Sequence, residues 1–164
     1  FNKSIYIYRH PLDVLVSAWH FFILNRKGPT QASPNNKIDN YVKYNLVNWV
    51  KHFTGYHSTC GYVTSYEVLK KDAYSELLRL VKYLKMDVDN ANLLKAVELS
   101  DFKSIKKMTV DSGQTHGSGP KGLQEGIFTR KGQIGNYKEE LSRSTIEYAK
   151  KYLAKNGIRD LYDF

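Results

Sequence analysis

Two hydrophobic periods alternate along the chain, and the points where one gives way to the other mark its elements. Ser4-Ile5-Tyr6-Ile7-Tyr8 is β-branched and aromatic on both faces, which suits a buried central strand of a parallel sheet better than a one-sided antiparallel one. Leu12, Leu15, Val16, Trp19 and Ile23 then recur at helical spacing, while Asp13, Ser17 and His20 fall on another face. Pro11 takes the favoured first position of that helix and Asp13 its first turn, where an acid suits the dipole. The pattern predicts a helix from Pro11 to about Leu24. Residues 25–40 carry Gly28, Pro29, Pro34 and several Asn, a loop long enough to serve as a lid or pocket wall.

Helical spacing resumes around Asp39 with Val42, Leu46, Trp49, Val50 and Phe53, ending near Gly55. Gly61-Tyr62-Val63-Thr64-Ser65 reads as a second strand, with Tyr66 and Glu67 at its end. Leu77, Leu80, Val81 and Leu84 define another helix. Leu93, Leu94 and Val97 define a shorter one ending near Ser100, with a further turn at 102–107. Five glycines and a proline between Gly113 and Gly126 argue for a surface segment rather than a packed element. Ser144 with Glu147 three residues on has the form of a capping box, so the last helix is expected to start there and to end at Asn156-Gly157. Strand, helices, strand, helices is an α/β order, and the expected frame is a parallel sheet flanked by helices. Strands buried on both faces need neighbours on both edges, so this sheet is expected to be incomplete at the amino end.

Size and charge narrow the classes. At 164 residues, with 41% hydrophobic content, the chain suits one cored domain, and residues 1–164 are read as one. Lys and Arg number 25 against 16 Asp and Glu, and the net charge of +9 favours an anionic partner: a nucleotide, a nucleic acid or an acidic membrane surface. The lone Cys60 excludes an intrachain disulfide or a multi-cysteine metal site, and it fits a reducing compartment. Cytoplasm is the expected location. No apolar run approaches the roughly 20 residues of a membrane-spanning helix, and no signal-peptide pattern opens the chain. Because Phe1 is not Met and a strand begins within a few residues, the chain reads as cut from something longer, leaving an upstream anchor open.

In open α/β sheets ligands bind beyond the carboxyl ends of the strands, where Arg9 stands with a guanidinium suited to phosphate. Ser17, about two turns into the following helix, can turn its hydroxyl toward the same oxyanion. The structural alternative is a surface arginine and a small helix residue. The whole stretch Tyr6-Ile7-Tyr8-Arg9-His10-Pro11-Leu12-Asp13-Val14-Leu15-Val16-Ser17-Ala18-Trp19-His20-Phe21 resembles the 3'-phosphate-binding strand and helix of sulfotransferases that use 3'-phosphoadenosine 5'-phosphosulfate. The resemblance implies that Arg9 and Ser17 bind the donor's 3'-phosphate, with Ser17 also beside the catalytic lysine of an upstream phosphosulfate loop.

Three further segments resemble the same family in the same order. Tyr66-Glu67, followed by Leu69, Lys70, Lys71 and Asp72, is similar to its Tyr-Glu-Asp element, with Val68 in place of the acid. That implies an adenine contact for Tyr66, which on its own reads also as a tyrosine packed on the sheet edge. Ser100-Asp101-Phe102-Lys103 resembles the Thr-Ser-Phe-Lys segment and implies that Phe102 stacks on adenine, a contact of about 1–3 kcal/mol per base in nucleic-acid systems. Asp101 stands where the family often has Ser, and the alternative for Phe102 is a core residue capping a short helix. Arg130-Lys131-Gly132-Gln133-Ile134-Gly135-Asn136-Tyr137-Lys138 resembles Arg-Lys-Gly-x-x-Gly-Asp-Trp-Lys. By that likeness Arg130, Lys131 and Gly132 close on the 3'-phosphate, since glycines let backbone amides approach a phosphate. Asn136 and Tyr137 replace Asp and Trp, which bears on packing behind the loop more than on phosphate contacts. The alternative is an ordinary basic turn.

The resemblance implies a P-loop NTPase-like sulfotransferase fold. It also implies transfer of a sulfuryl group to an acceptor hydroxyl or amine, leaving adenosine 3',5'-bisphosphate, without a metal. The catalytic lysine loop and the general base lie upstream in the family, so no catalytic residue is expected in this chain beyond the supporting Ser17. His20 is expected to make a structural hydrogen bond rather than to act as the base, and Phe21 and the 25–40 loop to form the acceptor pocket wall. A small-molecule acceptor is expected, nucleic acid is not, and no membrane partner is evident. The Lys-x-x-x-Thr-Val-x-x-x-Glu dimerisation motif of many members has no clear copy, so no oligomeric state is assigned. The rival readings are a non-catalytic basic nucleotide- or nucleic-acid-binding module, suggested by charge and by interleaved Tyr and Lys, and a P-loop kinase-like fragment requiring ATP and Mg²⁺.

Overall fold

The elements run β1 (Ile5–Tyr8), α1 (Pro11–Trp19), α2 (Ile38–His57), β2 (Tyr62–Ser65), α3 (Tyr66–Lys71), α4 (Ala73–Leu84), α5 (Asn90–Leu99), α6 (Tyr137–Glu140) and α7 (Arg143–Lys155). The computed structural model describes residues 3–21, 37–101, 103–105, 107 and 132–159. They fall into two compact units: a strand unit of Phe1–Tyr8 with Thr59–Gly132, and a helical unit of Arg9–Ser58 with Gln133–Phe164. Among the described residues no helix is long and apolar enough to cross a membrane.

In the strand unit β1 and β2 pair in parallel, as expected, with Ile5 opposite Tyr62 and Tyr8 opposite Ser65. Parallel partners cannot be joined by a tight hairpin, and the chain makes the long connection through α1 and α2. Burial of β1 is that of a strand in a two-stranded sheet. Tyr6 is buried, but Ile5 and Ile7 are 39% and 53% exposed. Alternate strand residues face opposite sides, so the two isoleucines share one face. At the end of β2 the Ser65 hydroxyl accepts from the Val68 N–H and turns the chain into α3. Helices α3, α4 and α5 then pack in succession. Only Leu93 of the predicted α5 stripe is fully buried, while Leu94 is exposed.

The helical unit holds the larger core. Leu12, Leu15, Val16 and Trp19 of α1 are all buried, and α1 packs on α2, whose buried residues are Tyr41, Val42, Leu46, Val50 and Phe53. Trp19 meets Tyr41 edge to face at 5.5 Å. Each such side chain removed from water contributes about 1.5–3 kcal/mol. Trp49, expected in the buried stripe, is half-buried and stacks on Phe53. Helix α2 runs on through Gly55 to His57. Helix α7 packs on α2 with Ala149 and Leu153 buried. It ends at Asn156-Gly157 as expected, but its N-cap is Ser142 rather than Ser144. The reason is tertiary: Ser142 donates from both its N–H and its hydroxyl to Asp39 of α2, and its hydroxyl oxygen accepts from the Thr145 N–H.

Candidate functional site

Helix α1 starts directly after β1, with Pro11 at its head and the core residues on one side. Arg9, Asp13 and Ser17, four residues apart, therefore line up along a second stripe, continued by His20. Every one of these except Ser17 meets the segment from Gln133 to Glu140. The Arg9 Nη2 donates to the Gln133 carbonyl at 2.7 Å and lies 3.6 Å from Asp13 Oδ2. Asp13, only 2% exposed, accepts from the Gly135 N–H at 2.8 Å and from the Tyr137 N–H at 3.1 Å. His20 Nε2 pairs with the Glu140 carboxylate, which also accepts from the Asn136 side-chain amide. Ser17 is half-buried on the same stripe.

The turn itself depends on glycine. Gly132 and Gly135 have φ of +59° and +79°, a region that side chains with a Cβ adopt only at a cost. Behind it, Tyr137 is buried and its ring stacks on His10 with centroids 4.6 Å apart and planes within 1°. Asn136 is buried as well, so the two residues that depart from the motif sit in the packing. His10 is 3% exposed, and burial, only partly offset by Asp13 and reinforced by Lys138 and Arg9, pushes its pKa down to about 4. The ring is neutral near pH 7. Burial, with Asp13 adding to it, raises the Tyr137 hydroxyl above its ordinary value.

In the strand unit, Tyr66 opens α3 and its hydroxyl donates to the Gly132 carbonyl at 2.9 Å. Of the sequence-predicted residues, Tyr66 and Gly132 of the strand unit are thus in direct contact, and within the helical unit Arg9 reaches Gln133. Phe102, Arg130 and Lys131 lie outside the described residues. Asp13, His10, Asn136 and Glu140 were not singled out as binding residues. The signal available for Asp13 was its place midway between Arg9 and Ser17 on one stripe, but its partners stand more than 120 residues away in sequence. Among the described residues no group of three or more His, Cys, Asp or Glu side chains could hold a metal ion.

The chain as a whole is similar to known proteins. The amine sulfotransferase of Oryctolagus cuniculus is 27% identical over 158 residues, which cover 92% of this chain and 52% of that protein. Cytosolic sulfotransferase 12 of Arabidopsis thaliana is 27% identical over 156 residues, 88% of this chain and 47% of that one. The chain spans about half the length of the curated relatives it matches. The solved structure of mouse sulfotransferase SULT7A1 complexed with PAP has a TM-score of 0.78 at 19% identity, covering 99% of this chain and 62% of that one, and so shares the fold. The family model described as "Sulfotransferase domain" matches residues 2–160, and the chain belongs to the sulfotransferase family.

Proposed function

We propose that residues 1–164 form the donor-recognition part of a single sulfotransferase domain. Its donor is 3'-phosphoadenosine 5'-phosphosulfate and its acceptor the hydroxyl or amine of a small molecule, in the cytoplasm. The observation that carries the reading is the family match over residues 2–160, within which both the Arg9–Ser17 stripe and the Gly132–Tyr137 turn fall. When bound, the donor supplies a sulfuryl group for in-line transfer, leaving adenosine 3',5'-bisphosphate. The chain's own residues bind and orient. Arg9 supplies positive charge to the 3'-phosphate, Ser17 a hydroxyl donor and Gly132 close backbone approach, while Tyr66 contacts the adenine. Phe102 stacks on the adenine, and Arg130 and Lys131 add charge at the 3'-phosphate. No residue of this chain takes the catalytic step, and no metal enters it.

The local geometry supports the phosphate role. A guanidinium with five N–H donors is held at its Nη2 end beside a turn whose glycines keep side chains out of the way. Hydrogen bonds to a charged group contribute about 1.5–3 kcal/mol, so Arg9→Ala should weaken adenosine 3',5'-bisphosphate binding by about 10- to 100-fold. Ser17→Ala should cost roughly 2- to 10-fold, and both should spare AMP. Titration of the two nucleotides at fixed salt tests this. Equal affinity of the unsubstituted chain for adenosine 3',5'-bisphosphate and AMP would sink the reading. A steep loss of binding with salt and no nucleotide preference would instead favour a polyanion-binding module.

A further inference from the structure

We propose that Asp13 is a positioning residue for anion recognition: its buried carboxylate shapes the turn from Gly135 to Tyr137 and holds Arg9 against it. The inference rests on the reading of Arg9 as a 3'-phosphate ligand. It assigns to that site a residue whose own charge would repel the ligand.

An acid in the first turn of a helix is ordinarily explained by the helix dipole. Here that explanation does not account for the geometry. Helix α1 has no side-chain cap, and the Asp13 oxygens turn away from the helix's own N–H groups to take those of Gly135 and Tyr137, one on each oxygen. A carboxylate that is 2% exposed must have its lone pairs satisfied or be strongly disfavoured. Two backbone donors two residues apart on one carboxylate fix the direction of the intervening peptides, and with it the left-handed φ of Gly135. Oδ2 also lies 3.6 Å from Arg9 Nη2, the same nitrogen that donates to the Gln133 carbonyl. The guanidinium is thereby oriented by the acid and by the turn that the acid organises. Nothing in this arrangement needs the carboxylate to touch a ligand.

Charge alone and positioning predict opposite signs, which makes the idea testable. In the full chain, Asp13→Asn removes a negative charge from the neighbourhood of the anion but leaves one acceptor oxygen in place of two and turns an N–H donor toward a backbone donor. If Asp13 acts through position, the affinity for adenosine 3',5'-bisphosphate falls by about tenfold or more, while that for AMP stays within about threefold. Tighter binding of the bisphosphate by Asp13→Asn, or an unchanged ratio between the two nucleotides, overturns the proposal. Gly135→Ala disturbs the same turn with Asp13 intact: its Cβ has room, the nearest atom being Lys138 Cε at 3.9 Å, so the strain is in the backbone alone. It should also lower the ratio, and the double variant should lose little beyond the worse single one, because both act through one element. Additive losses in the double variant, or an unchanged ratio in Gly135→Ala, count against the proposal, and the latter decides the matter should Asp13→Asn not fold. Failure of the donor reading itself is distinct: it shows as no preference for the bisphosphate in the unsubstituted chain.

Discussion

The helices of the strand unit begin differently from the first two of the helical unit. In the strand unit, α3, α4 and α5 each start at a side chain that accepts a first-turn N–H: Ser65 from Val68, Asp72 from Ser75 and Asp89 from Asn92. In the helical unit, α1 and α2 start at His10 and Lys37 with no side-chain cap, while α7 is capped by Ser142. Burial runs the other way. Nine apolar residues of α1 and α2 are buried, whereas of the exposed large aliphatic residues, Ile5, Ile7, Val68, Met86, Leu94 and Leu99 belong to the strand unit and Ile134 to the helical unit. A cap contributes about 1 kcal/mol and a buried aliphatic side chain about 1.5–3. The strand-unit helices are thus written locally, residue by residue, while α1 and α2 are held by what they pack against. That division leaves the polar stripe of α1 to contacts outside its own helix. Asp13, placed where an acid could serve its own helix, serves the Gly135–Tyr137 turn instead.

The largest effect that would break this comparison is in the α1–α2 core. Leu46 is 1% exposed, so Leu46→Ala should cost about 2–5 kcal/mol in chemical denaturation, the transfer term plus a cavity. A loss under about 1 kcal/mol would mean that packing does not hold the uncapped helices. His10 gives the next effect, through pH. Burial places its folded pKa at about 4, below the ordinary 6.5. Between those values the unfolded chain binds more protons than the folded one, so stability is full above about pH 6.5 and is lost as pH falls toward 4. A shift of this size corresponds to on the order of 3 kcal/mol. Urea melts at pH 7 and pH 5 should show a clear drop in the unsubstituted chain and a smaller one in His10→Gln. Equal slopes would place the ring in water.

The same division explains how much could be read from the sequence. The stripes Leu12-Leu15-Val16-Trp19 and Val42-Leu46-Val50-Phe53 are periodic over several turns, and the α1–α2 core follows from them. The parallel pairing of β1 with β2 follows from the α/β order of the elements, and the Asn156-Gly157 stop is a local signal. What escaped is long-range. Ser144 and Glu147 match a capping box, yet Ser142 caps α7 because Asp39 of α2 fixes it. Ile7 is exposed in a two-stranded sheet, in keeping with the expectation that strands of this composition need neighbours on both edges. Within the candidate site, Arg9, Ser17, Tyr66 and Gly132 are proposed from residue type, order and family resemblance. The clasp from Asp13 is not legible in that way, since two acceptors for one turn become visible only when helix and turn are brought together. Phe102, Arg130 and Lys131 lie outside the described residues, so their part rests on the motif.

The smallest effect tests the comparison from the side of the strand unit. Asp89 caps α5 with one oxygen accepting from the Asn92 N–H at 2.7 Å and the other from the Asn92 side-chain amide at 3.0 Å. Leu94, on the same helix, is 57% exposed. If α5 is written locally, Asp89→Ala should cost about 1 kcal/mol, because it leaves a first-turn donor to water and removes a negative charge from the positive end of the helix. Leu94→Ala should then change stability by less than about 0.5 kcal/mol, as surface substitutions away from packing do. Amide hydrogen exchange along residues 90–99 reads both changes in place, since faster exchange confined to α5 separates local fraying from global loss. The order of the two variants carries the result. Were the leucine to matter more than the cap, α5 would be held by cover on its apolar face, and the contrast between the capped helices of the strand unit and the packed α1 and α2 would fail at that helix.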